Sequence, residues 1–243
     1  MSVIGIIPAR MASTRFPGKP LVDIGGKTMI QRVYEQAKKC EALDAVYVAT
    51  DHPAIADEVK KFGGLVQLTA SSHENGTSRC AELLANLEKK PEVVINIQGD
   101  EPFFNPTDLD ALIACFKDSS TQIATLVKHI EVAEELENPT VVKAVFDKND
   151  RALYFSRAPI PFNREGISAM SYKHIGIYAY RFDVLPELVK LPATELETIE
   201  KLEQLRWLEN GYTIKIAATK HDSNSVDTPE DLEKLKRKFN LYK

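Results

Sequence analysis

The stretch VIGIIPARMASTRFPGKPL, residues 3–21, decides how the rest of the chain is read. It opens on an unbroken apolar run, which reads as a buried strand. The chain then turns at Pro8 and runs as a loop toward the next helix. Arg10, Arg15 and Lys19 stand on that loop among small residues, Ala12, Ser13, Thr14 and Gly18, and no carboxylate appears before Asp23. Cations without local partners on a loop leaving a strand suit an anion, because α/β proteins place ligands beyond the carboxyl ends of their strands. A solvated basic loop is the plainer alternative.

The background against which these cations stand is acidic. The 243 residues carry a net charge of −4, with 44% hydrophobic and 27% charged residues, ordinary globular values. That balance makes nucleic acid a poor partner and favours a small phosphorylated ligand. Cys40, Cys80 and Cys115 are odd in number and lack metal-ligand spacing, so they read as reduced thiols of a cytosolic protein. MSVIGIIPAR enters a strand directly, without a signal-peptide pattern, and no apolar run is long enough to span a membrane.

Working outward from the first loop, strands and helices alternate. Residues 28–39 place Ile30, Val33, Tyr34 and Ala37 on one helical face. Residues 44–51 read as a strand, 53–62 as a helix, 65–69 as a short strand and 77–89 as a helix. EVVINIQGDEP (92–102) is a strand running into acidic residues, and Asn105, Pro106 and Asp108 mark the start of the next helix. Residues 121–130 form another strand. This alternation predicts an α/β fold with a parallel or mixed sheet and helices on both faces. After about residue 140 the pattern changes: VVKAVFD, a KNDR turn and ALYFSR read as a hairpin, followed by a proline-rich stretch at 159–163 and a strand at 174–180. A long helix is expected at 195–209, with Thr194 and Glu197 as its capping box and Gly211 as its stop. A strand at 212–218 and a helix from Thr228 complete the order. The reading is a single domain over 1–243, with a β-rich excursion at about 140–185 suited to dimerisation or to a second substrate.

Asp100 and Glu101 at a strand end suit Mg²⁺, a hard cation that binds through one or two carboxylates plus substrate phosphates. Asp227, in SVDTPEDL, is a candidate to complete such a site, and equally a residue just ahead of a helix cap. Phosphate-gripping cations facing metal carboxylates point to phosphoryl or nucleotidyl transfer, where the protein positions groups and neutralises charge. The Walker A, GxGxxG, GxSxG and HExxH patterns are absent. The histidines, including His174, are not clustered as zinc ligands. Glu200 and Gln204 sit four apart on a polar helical face, which fits either a polyol or solvent.

Six segments in order then become specific: IIPARMASTRFPGKPL (6–21), VINIQGDEP (94–102), ALYFSRAPIP (152–161), HIGIYAY (174–180), EKLEQLR (200–206) and VDTPEDL (226–232). Together they closely resemble the 3-deoxy-manno-octulosonate cytidylyltransferases, or CMP-KDO synthetases, over essentially the whole chain. The resemblance implies a Rossmann-like nucleotidyltransferase fold in a cytoplasmic homodimer. It implies a reaction of CTP with KDO to give CMP-KDO and pyrophosphate, using Mg²⁺, for lipopolysaccharide synthesis. By motif, Arg10, Arg15 and Lys19 would grip the CTP phosphates. Pro8, Ala9 and the 73–79 loop would shape the base pocket, with Ser13, Thr14, Asn75, Gly76, Thr77, Arg79 and Gln98 among the nucleotide contacts. Asp100 and Asp227 would hold metal. Arg157, His174, Glu200 and Gln204 would face KDO, with Arg157 suited to its carboxylate. Where the family usually has a serine and an acidic residue around the Gly-Thr pair, this chain has Asn75 and Ser78, and Thr198 replaces a frequent histidine. A cytidylyltransferase for another acidic sugar, such as 8-amino-KDO or sialic acid, and a non-catalytic nucleotide-binding relative remain the alternatives.

Overall fold

Strand β1 (Val3–Ala9) is buried along nearly its whole length, as a strand between two parallel neighbours must be. The computed structural model describes residues 1–12, 15–165 and 170–241. β1 continues through Pro8, which lies opposite Ala49, so the chain leaves the strand two residues later than the proline suggests. It pairs in parallel with β2 (Ala45–Thr50) on one side and β4 (Val93–Asn96) on the other, and β2 pairs in parallel with β3 (Leu65–Leu68).

Helix α1 (Met29–Ala37) starts where the Thr28 side chain accepts from Gln31 N. It buries Met29, Ile30, Val33 and Ala37, the face its spacing predicts. α2 (Pro53–Lys61) has Pro53 in its first turn and is capped by the His52 ring. α3 (Gly76–Asn86) is capped by Asn75, whose Oδ1 accepts from Ser78 N, and buries Cys80, Leu83 and Leu84. These elements belong to the first of two compact units, Met1–Asp110 with Asp222–Lys243. Its run ends within α4 (Thr107–Cys115), at whose start Asn105 Oδ1 accepts from Thr107 N.

The second unit, Ala111–His221, contains the β-rich stretch expected at about 140–185. β5 (Ile123–His129) is followed by a short α5 (Ala133–Glu137). The expected hairpin is present as β6 (Lys143–Phe146) and β7 (Ala152–Ser156), antiparallel. β8 (Tyr172–Arg181) runs antiparallel to β5 and β6. Short α6 (Leu185–Leu188) leads to α7 (Glu195–Glu200) and α8 (Glu203–Glu209), and β9 (Ile214–Thr219) pairs in parallel with β5. The buried core of this unit includes Phe155, Leu205 and the edge-on rings of Tyr180 and Trp207. The chain ends in α9 (Pro229–Lys238), back in the first unit. Parallel and antiparallel pairings with flanking helices give the mixed α/β class that the alternation predicts.

One expectation is overturned. The stretch 195–209 is not one helix but two, because Lys201 adopts a left-handed conformation (φ 55°) and Leu202 is extended. Tertiary contacts account for the break. The Glu200 carboxylate reaches Ser156 and Arg157 rather than the next helical turn, and Arg206 of α8 grips Glu197 of α7 through Nε and Nη2 at 2.7 and 2.5 Å.

Candidate active site

The parallel pairing of β3, β2, β1 and β4 brings the loops that follow them to one edge of the first unit. There they line a cleft of about 390 Å³. Two glycines let these loops close on the end of β1. A Cβ on Gly76 would stand 2.9 Å from Pro8 Cγ, and one on Gly99 would stand 2.8 Å from the Pro8 carbonyl oxygen.

The charged groups converge as the sequence suggests. Lys19 begins a 3₁₀ turn, Lys19–Leu21, anchored by buried Pro20. Its Nζ donates to Asp100 Oδ2 at 2.8 Å and to Asp227 Oδ1 at 3.2 Å, and Arg15 Nη2 lies 3.1 Å from the same Asp227 oxygen. The two aspartates are 127 positions apart in sequence, and a backbone bond from Val226 N to the Asp100 carbonyl (2.9 Å) stitches their segments together. Asp227 is also fixed by the start of α9, where Asp231 accepts from Asp227 N and Thr228 N. The cap residue and the site residue are therefore one device.

Arg10, Ala9, Gln98 and Asn75 line the same cleft. Arg10 is exposed there. Asn75 uses its side chain to cap α3, and Thr77 is buried beneath the loop rather than on the lining. Arg79 reaches the lining from below: it is 2% exposed, with Nη2 on Asp51 Oδ2 (3.1 Å) and Nη1 on Thr69 Oγ1 (2.6 Å). Ser13 and Thr14 lie outside the described residues. Sequence reasoning missed Asp51 and Thr69 as supports of Arg79, although Asp51 carries the same signal as Asp100, a carboxylate at a strand end. It also missed that His73, which lines the cleft, is bound to Glu82.

Glu101 parts from its neighbour. It is turned inward, and burial pushes its carboxyl up to about 7. Asp100 and Asp227 remain as the acidic pair that meets Lys19, and Glu74 also lines the cleft. Among the described residues no group of three or more His, Cys, Asp or Glu gathers as a metal cluster. Two carboxylate oxygens meeting at one ammonium nonetheless fit Mg²⁺, which takes one or two protein carboxylates and completes its shell from phosphates and water. Lys19 stands in for the positive charge such a pair calls for.

The residues that the resemblance assigns to the sugar all belong to the second unit. Arg157 is half-buried, with Nε donating to the Glu200 carbonyl (2.8 Å) and Nη1 to the Pro139 carbonyl (3.0 Å). Both Glu200 carboxylate oxygens are engaged, by Ser156 Oγ at 2.5 Å and by Arg157 N at 2.9 Å. Gln204 is buried, with Nε2 unpartnered. His174 sits between the rings of Phe155 and Tyr178, and desolvation lowers its pKa to about 3. Thr125 Oγ1 has one proton and two carbonyl acceptors within 3.3 Å, so it accepts from His174 Nε2–H at 2.9 Å. At neutral pH His174 is therefore an uncharged, bonded ring and not a cation for a carboxylate.

No helix among the described residues is long and apolar enough to cross a membrane. A cytidylyltransferase family model matches residues 4–216. A 3-deoxy-manno-octulosonate cytidylyltransferase of Parabacteroides distasonis is 52% identical over 96% of this chain and 96% of its own length. One of Thermodesulfovibrio yellowstonii is 48% identical over the full length of both. A solved structure of CMP:2-keto-3-deoxy-manno-octonic acid synthetase complexed with CTP is 42% identical, covers 99% of each chain and superposes with a TM-score of 0.95. A 4-diphosphocytidyl-2C-methyl-D-erythritol synthase from Anaerococcus prevotii, at 14% identity and a TM-score of 0.66, shares the fold. With the strand-end cations and aspartates gathered in one cleft, these matches place the chain in the cytidylyltransferase family, among the 3-deoxy-manno-octulosonate cytidylyltransferases.

Proposed function

We propose that the protein joins CTP and KDO to give CMP-KDO and pyrophosphate, as a cytoplasmic homodimer supplying lipopolysaccharide synthesis. The observation that carries this reading is the meeting of Lys19 and Arg15 with Asp100 and Asp227 in a cleft of nucleotide size. The anomeric hydroxyl of KDO attacks the α-phosphorus of CTP in line. A new oxygen–phosphorus bond forms as the bond to the bridging oxygen breaks, pyrophosphate leaves with its electron pair, and the hydroxyl proton passes to solvent water. Arg10, Arg15 and Lys19 bind the triphosphate and offset the charge that builds on the departing oxygens. Asp100 and Asp227 would hold Mg²⁺, which when bound neutralises phosphate charge. The floor of the base pocket is set by Pro8, against which Gly76 and Gly99 each lie close, and by Arg79, held by Asp51. Arg157 recognises the sugar carboxylate.

The test is pyrophosphate release across the four nucleoside triphosphates, each paired with KDO, 8-amino-KDO and sialic acid. Release is expected with CTP and KDO and to depend on Mg²⁺. Release that favours another nucleotide or another acid, or none with this pair, overturns the assignment.

A further inference from the structure

Lys143, the first residue of β6, is fully buried at 0% exposure, yet it carries a charged side chain that the nucleotidyl-transfer reading leaves without a task. Its ammonium has three protons, and three carbonyls take them: Asn138 at 3.0 Å, Val141 at 2.7 Å and Arg157 at 2.6 Å. Two of these acceptors lie just ahead of its own strand. The third belongs to the arginine that follows β7, the strand paired with β6, in whose ladder Lys143 lies opposite Ser156.

Arg157 is held at three further points. Its N–H donates to Glu200 Oε2, its Nε to the Glu200 carbonyl and its Nη1 to the Pro139 carbonyl. Residues 138–141 thus form a cup of carbonyls that holds two cations side by side, Lys143 by its head and Arg157 by one edge of its fork. A guanidinium has five N–H donors. Nε and one proton of Nη1 are used, so the Nη1/Nη2 edge keeps three. That edge matches a carboxylate in two parallel bonds.

Burying an ammonium costs free energy that an apolar side chain of the same volume would avoid. A packing role alone therefore does not account for a lysine here. Desolvation holds the Lys143 pKa below its ordinary value; Glu137 and Glu200 oppose that shift, and the neighbouring Arg157 charge adds to it. We propose that Lys143 is a positioning residue: by holding the Arg157 carbonyl while Glu200 holds the Arg157 amide and Nε, it fixes the open edge of the guanidinium for the carboxylate of the sugar acid. This rests on the reading that Arg157 recognises that carboxylate. A guanidinium held in place beforehand loses less freedom on binding, and the gain appears in sugar affinity.

Steady-state pyrophosphate release on the full-length protein tests the assignment with Lys143→Met, Arg157→Met and the double variant. Lys143→Met is expected to raise KM for KDO about tenfold, with kcat and KM for CTP changed less than about twofold. Arg157→Met is expected to raise KM for KDO by about thirtyfold or more, and the double variant to be no worse than Arg157→Met alone, since coupled residues do not add. If Arg157→Met raises KM for KDO but Lys143→Met does not, or if the two effects multiply, the positioning role is wrong while the arginine assignment stands. If Arg157→Met leaves KM for KDO unchanged, the arginine assignment fails and the positioning role falls with it. A loss that affects CTP and KDO equally identifies Lys143 as merely structural and also overturns the proposal. Should Lys143→Met not fold, Lys143→Gln keeps two N–H donors and is judged by the same criteria.

Discussion

Replacing Lys19 with methionine removes the one ammonium shared by Asp100 and Asp227, at 2.8 and 3.2 Å, while keeping the length of the side chain. Lys19 is 16% exposed and the aspartates 26% and 36%, so the pairs sit at the rim of the protein dielectric. At about 3 Å and an effective dielectric of about 20, each attraction is roughly 5 kcal/mol gross. Desolvation and side-chain entropy cancel most of that, and about 1 kcal/mol per pair is the net expected of partly exposed ion pairs. Losing both lowers stability by about 2 kcal/mol, a fall in Tm of roughly 4–8 °C for a chain of this size. The effect on rate is larger, because a cation placed where charge develops is worth about 3 kcal/mol of barrier. That converts to a loss of roughly 150-fold in kcat. Pyrophosphate release at saturating CTP, KDO and Mg²⁺, paired with a thermal melt, separates the two effects. A kcat within about threefold of the parent refutes the assignment of Lys19 to the transition state. A melt lowered far beyond this range refutes the estimate of a modest, partly solvated pair.

Arg79→Met strands the Asp51 carboxylate in a buried site, and a loss of about 3 kcal/mol is expected from urea unfolding; an unchanged midpoint would show that the pair is dispensable. Gly99→Ala drives a Cβ to 2.8 Å from the Pro8 carbonyl oxygen, and the loop must shift. A stability cost of about 1–3 kcal/mol and a raised KM for CTP follow, whereas parent-like values for both contradict the close packing. His174 has a native pKa of about 3, well under its ordinary value, because its ring is desolvated. The folded state binds fewer protons than the unfolded state in that window. The stability held by the neutral ring is therefore complete above about 6.5 and declines as the pH falls toward 3. His174→Asn should show a smaller drop between pH 7 and pH 5 in chemical denaturation, and an equal drop in both proteins argues against it.

The alternating elements of the first unit were legible because parallel strands bury both faces and helices bury one stripe, and both leave periodic apolar signatures. The hairpin at 143–156 was legible for a related reason: two apolar runs flank a polar turn. Asp227 was readable in two ways, and its place serves both readings: it meets Lys19 in the cleft, and the capped start of α9 is what holds it there. The break at Lys201 left no local mark. It is driven by a carboxylate reaching partners 43 and 44 positions away, and helical spacing with a sound capping box concealed it. The role of Lys143 was hidden for a similar reason, since its acceptors are backbone carbonyls, which carry no residue identity to read. Asp51 differed: it stood at a strand end like Asp100, but its partner, Arg79, belongs to a helix that begins some 25 residues later.

The return of the chain to its first unit has a consequence for biosynthesis. Asp227 and α9 emerge only after the whole of Ala111–His221 has been made. At roughly 5–20 residues per second, translation of that intervening stretch takes on the order of 5–20 seconds. Throughout that interval Lys19 has Asp100 but not its second acceptor, and the nascent cleft is an incomplete cation cage. A chain truncated before the final helix lacks Asp227 and the capped start of α9 that holds it.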